Sequence, residues 1–159
     1  MGGVRGLPGA WVVVTVVGVA AMASPPSSLA RTAQAASDLA PVTRVVDDYI
    51  GLYTKERLHD WKALFLPTFT ATYTNADGTV SVRTLDEFYE SQRAGFAKGP
   101  MSESLHDVRI TREGRLAHAF AGFDFTSGGN TRRGQLMLLL IESKGEFRIA
   151  ALTFSYHRP

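Results

Sequence analysis

The chain contains no cysteine. That excludes disulfide staples, thiol nucleophiles, lipid attachment through a cysteine and any Cys-ligated metal, so a folded domain must draw its stability from its core. Histidine is sparse too: His59, His106, His118 and His157 show no spacing of the His-Glu-x-x-His kind, and no carboxylate cluster accompanies them. A Gly-x-Ser-x-Gly elbow is absent, and Ser127-Gly128-Gly129-Asn130 reads as a hairpin turn without the helix that a phosphate loop requires. Excess charge is missing as well. Of the 17 basic residues, Arg5 and Arg31 precede Ala36 and no acid does, so the remaining 124 residues carry 15 of each sign. The pI of about 9.1 owes much to the N-terminal segment, and no basic-surface argument for nucleic acid survives.

Long apolar runs are limited to one, the 14 residues from Ala10 to Ala23. A membrane-spanning helix needs about 20. Preceded by Arg5 and followed by the small residues Ala33-Gln34-Ala35, the run reads as a signal peptide, which predicts an exported protein, periplasmic or secreted. Ala21-Met22-Ala23 competes as the cleavage site, and an uncleaved N-terminal anchor is the alternative to cleavage. With residues 1–35 as signal peptide and leader, residues 36–159 suffice for one domain. The Pro/Ser/Ala-rich stretch from Ala23 to Ala40 reads as a mobile leader, and no stable membrane insertion is expected once it is removed.

What is present is apolar periodicity, of two kinds. Pro41 suits a helix start, and Val42, Val45, Val46, Tyr49, Ile50, Leu52 and Tyr53 follow at helical spacing. Asp60 is a candidate N-cap for a short second helix with Trp61, Leu64 and Phe65 facing inward, closed by Pro67. Phe69 to Tyr73 alternates as a strand, and Asn75-Ala76-Asp77-Gly78 turns it into Thr79 to Val82. Thr84 and Glu87 have capping-box spacing for a third helix through Phe88, Tyr89, Gln92 and Phe96, ending near Gly99-Pro100. Four strands then follow with short turns: Ser104 to Thr111, Leu116 to Thr126, Gly134 to Ser143 and Glu146 to His157. Helices before a four-stranded meander predict an α+β fold, with a ligand site between sheet and helices.

Alternation nominates the polar side chains that face inward. His106 shares a face with Val108 and Ile110, which makes it a candidate proton-transfer group near neutral pH, or equally a buried histidine bonded to the backbone. His118 and Asp124 share a face but stand about 20 Å apart along a strand, so they do not act as a pair. Adjacent Asp47 and Asp48 on a helix do not face one another. Small residues at Ala117, Ala119 and Ala121 leave room against the helices, and Gly122 marks a candidate bend.

Tyr49-Ile50, Asp60-Trp61, Leu66-Pro67-Thr68-Phe69 before Tyr73, and Gly145-Glu146-Phe147-Arg148-Ile149 together resemble the nuclear transport factor 2-like superfamily, in particular its SnoaL-like branch. The resemblance runs from Val42 to His157. It implies a cone-shaped, curved antiparallel sheet wrapped around three N-terminal helices, a cystatin-like α+β barrel with a deep pocket. Gly99-Pro100 followed by His106 is similar to scytalone dehydratase-like proteins, and there Tyr73 and Tyr53 match pocket tyrosines. Thr54 stands where that family has an acid, and Gly134 and Leu136 fall near its Ser and Asn. Against ketosteroid isomerase, Tyr49 matches the oxyanion-hole tyrosine, whereas the base falls near Asn75 and the second donor in Met137 to Leu140.

Two functions follow as expectations. One is an exported binding module holding a small apolar or aromatic molecule among Tyr49, Trp61, Phe65, Phe88, Phe120 and Phe154. The other is a dehydratase- or isomerase-like enzyme, without cofactor or metal, acting through His106, Tyr73 and Tyr53. The apolar run Leu136 to Ile141, patterned on both faces, predicts a homodimer.

Overall fold

The computed structural model describes residues 28–75 and 77–157, with side chains from residue 37 onward. Arg5, residues 10–23 and the Ala21-Met22-Ala23 site lie outside the described residues. Helix α1 (Ser28–Gly51) is followed by α2 (Leu58–Lys62), β1 (Phe65–Thr74), β2 (Val80–Thr84), α3 (Leu85–Lys98), and four long strands. These are β3 (Met101–Glu113), β4 (Leu116–Ser127), β5 (Asn130–Ser143) and β6 (Glu146–Tyr156). Among the described residues no helix is long and apolar enough to cross a membrane.

The α+β class holds, and the strands form one six-stranded sheet in the order β2-β1-β6-β5-β4-β3. The sheet is curved but not closed. It is also mixed rather than antiparallel throughout, because β6 returns between β5 and β1 and pairs with β1 in parallel. The meander β3 to β6 takes its register from tight turns, one of which places Lys144 at φ 55 and Gly145 at φ 83.

Two helix boundaries differ from the sequence expectation. α1 begins at Ser28, not Pro41, because the Ala-rich segment ahead of the proline is itself strongly helix-forming. Pro41 inside it removes one i→i−4 hydrogen bond. Nearby, the Asp38 carbonyl accepts a hydrogen bond from Arg112 Nη1 at 2.7 Å. α2 starts at Leu58, so Asp60 sits in its first turn and caps nothing, while Phe65 and Pro67 belong to the edge-ward start of β1 rather than to the helix. α3 starts as expected: Thr84 Oγ1 accepts from the Glu87 amide, and Glu87 Oε2 accepts from the Thr84 amide at 2.9 Å, a complete capping box.

Helical spacing puts Val42, Val46 and Tyr49 on one buried stripe of α1, laid on the concave face of the sheet. Ala117, Ala119, Ala121 and Phe123 of β4 and Leu136, Leu138 and Leu140 of β5 are buried in the same core. Trp61 is the hub. Its ring lies 4.6 Å from that of Phe65 and 5.3 Å from that of Tyr53, and its indole N–H donates to the Tyr49 carbonyl at 2.9 Å. A buried indole that found no acceptor would cost about 1–3 kcal/mol, so this bond fixes α2 against α1.

Candidate functional site

The helices do not fill the concave face. A cavity of about 280 Å³ remains, walled by Trp61, Phe88, Phe123, Phe125, Leu152 and Phe154, with Tyr49, Tyr53, Gln92, Glu103, Tyr156, two serines and two arginines among its polar lining. A wider outer hollow of about 610 Å³, lined by Tyr73, Asn75 and His157 among others, shares Arg83, Phe88, Gln92, Arg132, Phe154 and Tyr156 with it. The two are one depression with a neck.

A β-bulge decides which side chains of β3 look inward. His106 pairs with Gly122 and Arg109 with Phe120, so Asp107 and Val108 together oppose Ala121 alone. Asp107 takes up the extra residue at φ 54, a left-handed conformation that Asp tolerates better than most residues. Before the bulge Met101, Glu103 and Leu105 face the core, and after it Ile110 and Arg112 do.

His106 consequently departs from the expected orientation. Its side chain is 50% exposed, its Nδ1 lies 2.9 Å from Asp107 Oδ2, and its ring rests on Gly122, where a Cβ would collide with it. It is on the outer face, away from the cavity. Alternation carried unbroken from Val108 and Ile110 back to His106 gives the wrong side because it counts through the bulge.

The other expected residues divide. Tyr49, Tyr53, Trp61, Phe88 and Phe154 line the inner cavity. Tyr73 lines the outer hollow, its ring stacked on Phe154 at 5.0 Å. Phe65 is core beneath the cavity, 4.6 Å from Phe69, and does not reach its surface. Phe120 lies on the outer face under the Arg109 guanidinium, because even-numbered positions of β4 point away from the helices. His106, Tyr73 and Tyr53 therefore do not meet in one cavity.

Glu103, not singled out by sequence reasoning, is the residue that gives the cavity its chemistry. Tyr49 Oη donates to its Oε1 at 3.2 Å. Burial among aromatic rings raises its carboxyl from 4.5 to about 7, and the Tyr49 hydrogen bond lowers it somewhat against that trend. What surface Glu103 keeps is turned to the cavity, so the group is desolvated yet open to a ligand. Burial, and next the charge of Glu103, push the hydroxyls of Tyr49 and Tyr53 well above the usual phenol range. Burial likewise raises Tyr156, opposed by the nearby Arg132. Both deep hydroxyls are thus donors over the whole physiological range; that of Tyr53 is held by Gln92 Oε1 at 2.6 Å. A signal for Glu103 existed in Met101-Ser102-Glu103-Ser104-Leu105, where an acid occupies the middle of an apolar alternation. Starting the strand at Ser104 hid it.

Among the described residues no group of three or more His, Asp or Glu is placed to hold a metal ion. The arrangement can do two things: enclose an apolar body, and exchange one proton or hydrogen bond with it at Glu103 and Tyr49.

No family model matches the chain, and no curated protein sequence does. Solved structures do. An NTF2-like protein with a cystatin-like fold from Novosphingobium aromaticivorans superposes with TM-score 0.60 at 14% identity, over 80% of this chain and 87% of that one. A candidate dehydratase of the NTF2-like family from Streptomyces avermitilis gives 0.64 at 12%, over 77% and 98%. A ketosteroid isomerase-like protein from Erwinia carotovora atroseptica gives 0.57 at 18%, over 77% and 98%. The resemblance to the nuclear transport factor 2-like superfamily holds at the level of the fold, which many functions share.

Proposed function

We propose that this chain, built on the NTF2-like fold, is an exported small-molecule-binding protein whose inner cavity holds an apolar or aromatic ligand. The observation that carries the reading is the unfilled space of about 280 Å³, aromatic on its walls, around the Glu103–Tyr49 pair. A domain with no further use for that space gains by filling it, since each buried void forfeits packing. The neutral fluorescent probe N-phenyl-1-naphthylamine tests it: saturable binding at one probe per chain, lost in Leu152→Trp, is expected. Absence of saturable binding to a folded wild-type chain refutes it.

A second reading is favoured by Glu103 alone. A carboxyl that titrates near neutrality beside a phenol donor suits general acid/base catalysis, so the alternative is a cofactor-independent isomerase or lyase in which Glu103 moves the proton and Tyr49 polarises the substrate. His106 has no part in it. Solvent deuterium exchange into a bound ketone, absent in Glu103→Gln, distinguishes this from binding alone.

Residues 1–35 as a cleaved signal peptide belong to the same proposal; N-terminal sequencing of the mature protein checks it, with Ala36 expected. So does the homodimer. The outer face of the sheet exposes Val108, Leu116, Met137 and Leu139, with Phe120 directly across from Met137 and Leu139 beside His118. A contiguous apolar patch on that face suits a second copy. Light scattering that gives a monomer at micromolar concentration removes the dimer.

A further inference from the structure

We propose that the neck joining the two hollows is an oxyanion subsite, in which Arg83 and Arg132 receive the negative headgroup of a ligand whose apolar body lies in the inner cavity. The proposal rests on the small-molecule-binding reading above and names the class of ligand.

Both arginines sit where the sheet's alternation turns them to the concave side. Arg83 is opposite buried Ala71 in the β1–β2 pair, and Arg132 is opposite Phe125 in the β4–β5 pair. They approach the neck from different strands and both border both hollows. Each guanidinium is laid on an aromatic ring: Arg83 over Tyr73 at 5.2 Å, Arg132 over Tyr156 at 4.0 Å. Arg132 Nη2 also donates to Tyr156 Oη at 3.3 Å. A cation–π contact of this kind limits where the guanidinium can sit and leaves N–H donors of the fork for a further acceptor. Among the described residues neither arginine has a carboxylate within 4.0 Å, whereas Arg133, Arg112 and Arg148 each have one. Glu87 lies near enough to Arg83 for that charge to help hold its carboxyl low, yet it makes no ion pair with it within 4.0 Å and does not line either of the two hollows. Two like charges that share a concave, aromatic-walled neck with no carboxylate in direct contact raise the local positive potential and select an anion.

Orientation follows from the charge at the other end. Glu103 lines the inner cavity, so an anionic headgroup pushed inward would meet a carboxyl in a desolvated site, while one left at the neck meets two cations. The ligand therefore enters apolar end first. Tyr49 and Glu103 then address whatever polar atom its far end carries.

Carboxylates and phosphate monoesters share this headgroup chemistry, and calorimetry on the full-length chain separates them. 2-Naphthoate and 2-naphthyl phosphate are titrated alongside the neutral 2-naphthamide. One or both acids are expected to bind about tenfold more tightly than the amide, the scale of a charge-assisted contact. The tighter acid names the headgroup. Arg83→Gln and Arg132→Gln, each checked for wild-type circular dichroism, are expected to bring the acids down to the affinity of the amide, with Arg132→Lys recovering part of the difference. Equal affinity for acids and amide, or an acid preference that survives both glutamine variants, overturns the subsite and leaves the cavity reading standing. Failure of all three ligands while N-phenyl-1-naphthylamine still binds has the same meaning. Failure of the neutral probe too brings down both.

Discussion

Replacing Glu103 by glutamine removes the carboxyl that lines the cavity and keeps its shape and its capacity to accept from Tyr49. Its rise from 4.5 to about 7 on folding corresponds to about 3 kcal/mol of differential free energy between the protonated and ionised forms. Between those values the folded chain retains a proton that the unfolded chain has released. The unfolded state then binds fewer protons, and stability falls as pH rises. The contribution is complete below the unfolded value of 4.5 and is lost as pH climbs through about 7. Urea denaturation of wild type and Glu103→Gln across about pH 4 to about pH 8 measures it, because every other titrating group is common to both proteins and cancels in the difference. The variant should be close to wild type at the acid end and more stable by about 3 kcal/mol at the alkaline end, most of the change falling between 4.5 and 7. A difference that is flat with pH refutes the reasoning, because it means that Glu103 is solvated as an ordinary surface carboxylate. A difference of opposite slope means that a cation pairs with it.

Three further outcomes are expected. Tyr49→Phe deletes a hydrogen bond that favours ionised Glu103, so the carboxyl should titrate above its wild-type value of about 7, as read by carbon-13 NMR of labelled glutamate. Thr84→Ala removes the hydroxyl that accepts from the Glu87 amide, while the backbone amide at position 84 still donates to Glu87, and should lower stability by about 1 kcal/mol in urea denaturation, with far-ultraviolet circular dichroism at low denaturant unchanged. Gly134→Ala places a Cβ 2.6 Å from the Phe123 ring and against the Ser155 carbonyl, and should cost about 1–3 kcal/mol by the same assay; a cost below a few tenths would mean that Phe123 swings away freely.

The meander was legible in the sequence because its strands alternate and are separated by glycine turns, and α3 because a threonine and a glutamate three apart announce its start. Neither cue depends on residues distant in the chain. What escaped depends on such residues or on a count that breaks. The parallel pairing of β1 with β6 joins segments some eighty residues apart and leaves no local mark. Pro41 reads locally as the opening of α1, although the alanines before it carry the helix through. The aromatic lining is legible in Tyr49, Tyr53, Trp61, Phe88 and Phe154 but not at Phe65, which is core, or Phe120, which is on the outer face; His106 fails for a different reason, a single inserted residue that reverses parity. Glu103 leaves little local mark, since a lone acid next to the expected strand start at Ser104 resembles a solvated end.

The central position of β6 has a consequence for how the molecule assembles. Of the described strands it leaves the ribosome last, yet it stands between the two halves of the sheet, hydrogen-bonded to β5 on one side and to β1 on the other. A nascent chain stopped after Ser143 would own a detached hairpin and a three-stranded ribbon, each offering a raw edge to any neighbour. Joining them requires closing a long loop, so folding of this domain is expected to be slow for its size and to await β6, with truncations inside that strand producing aggregates rather than smaller folded products.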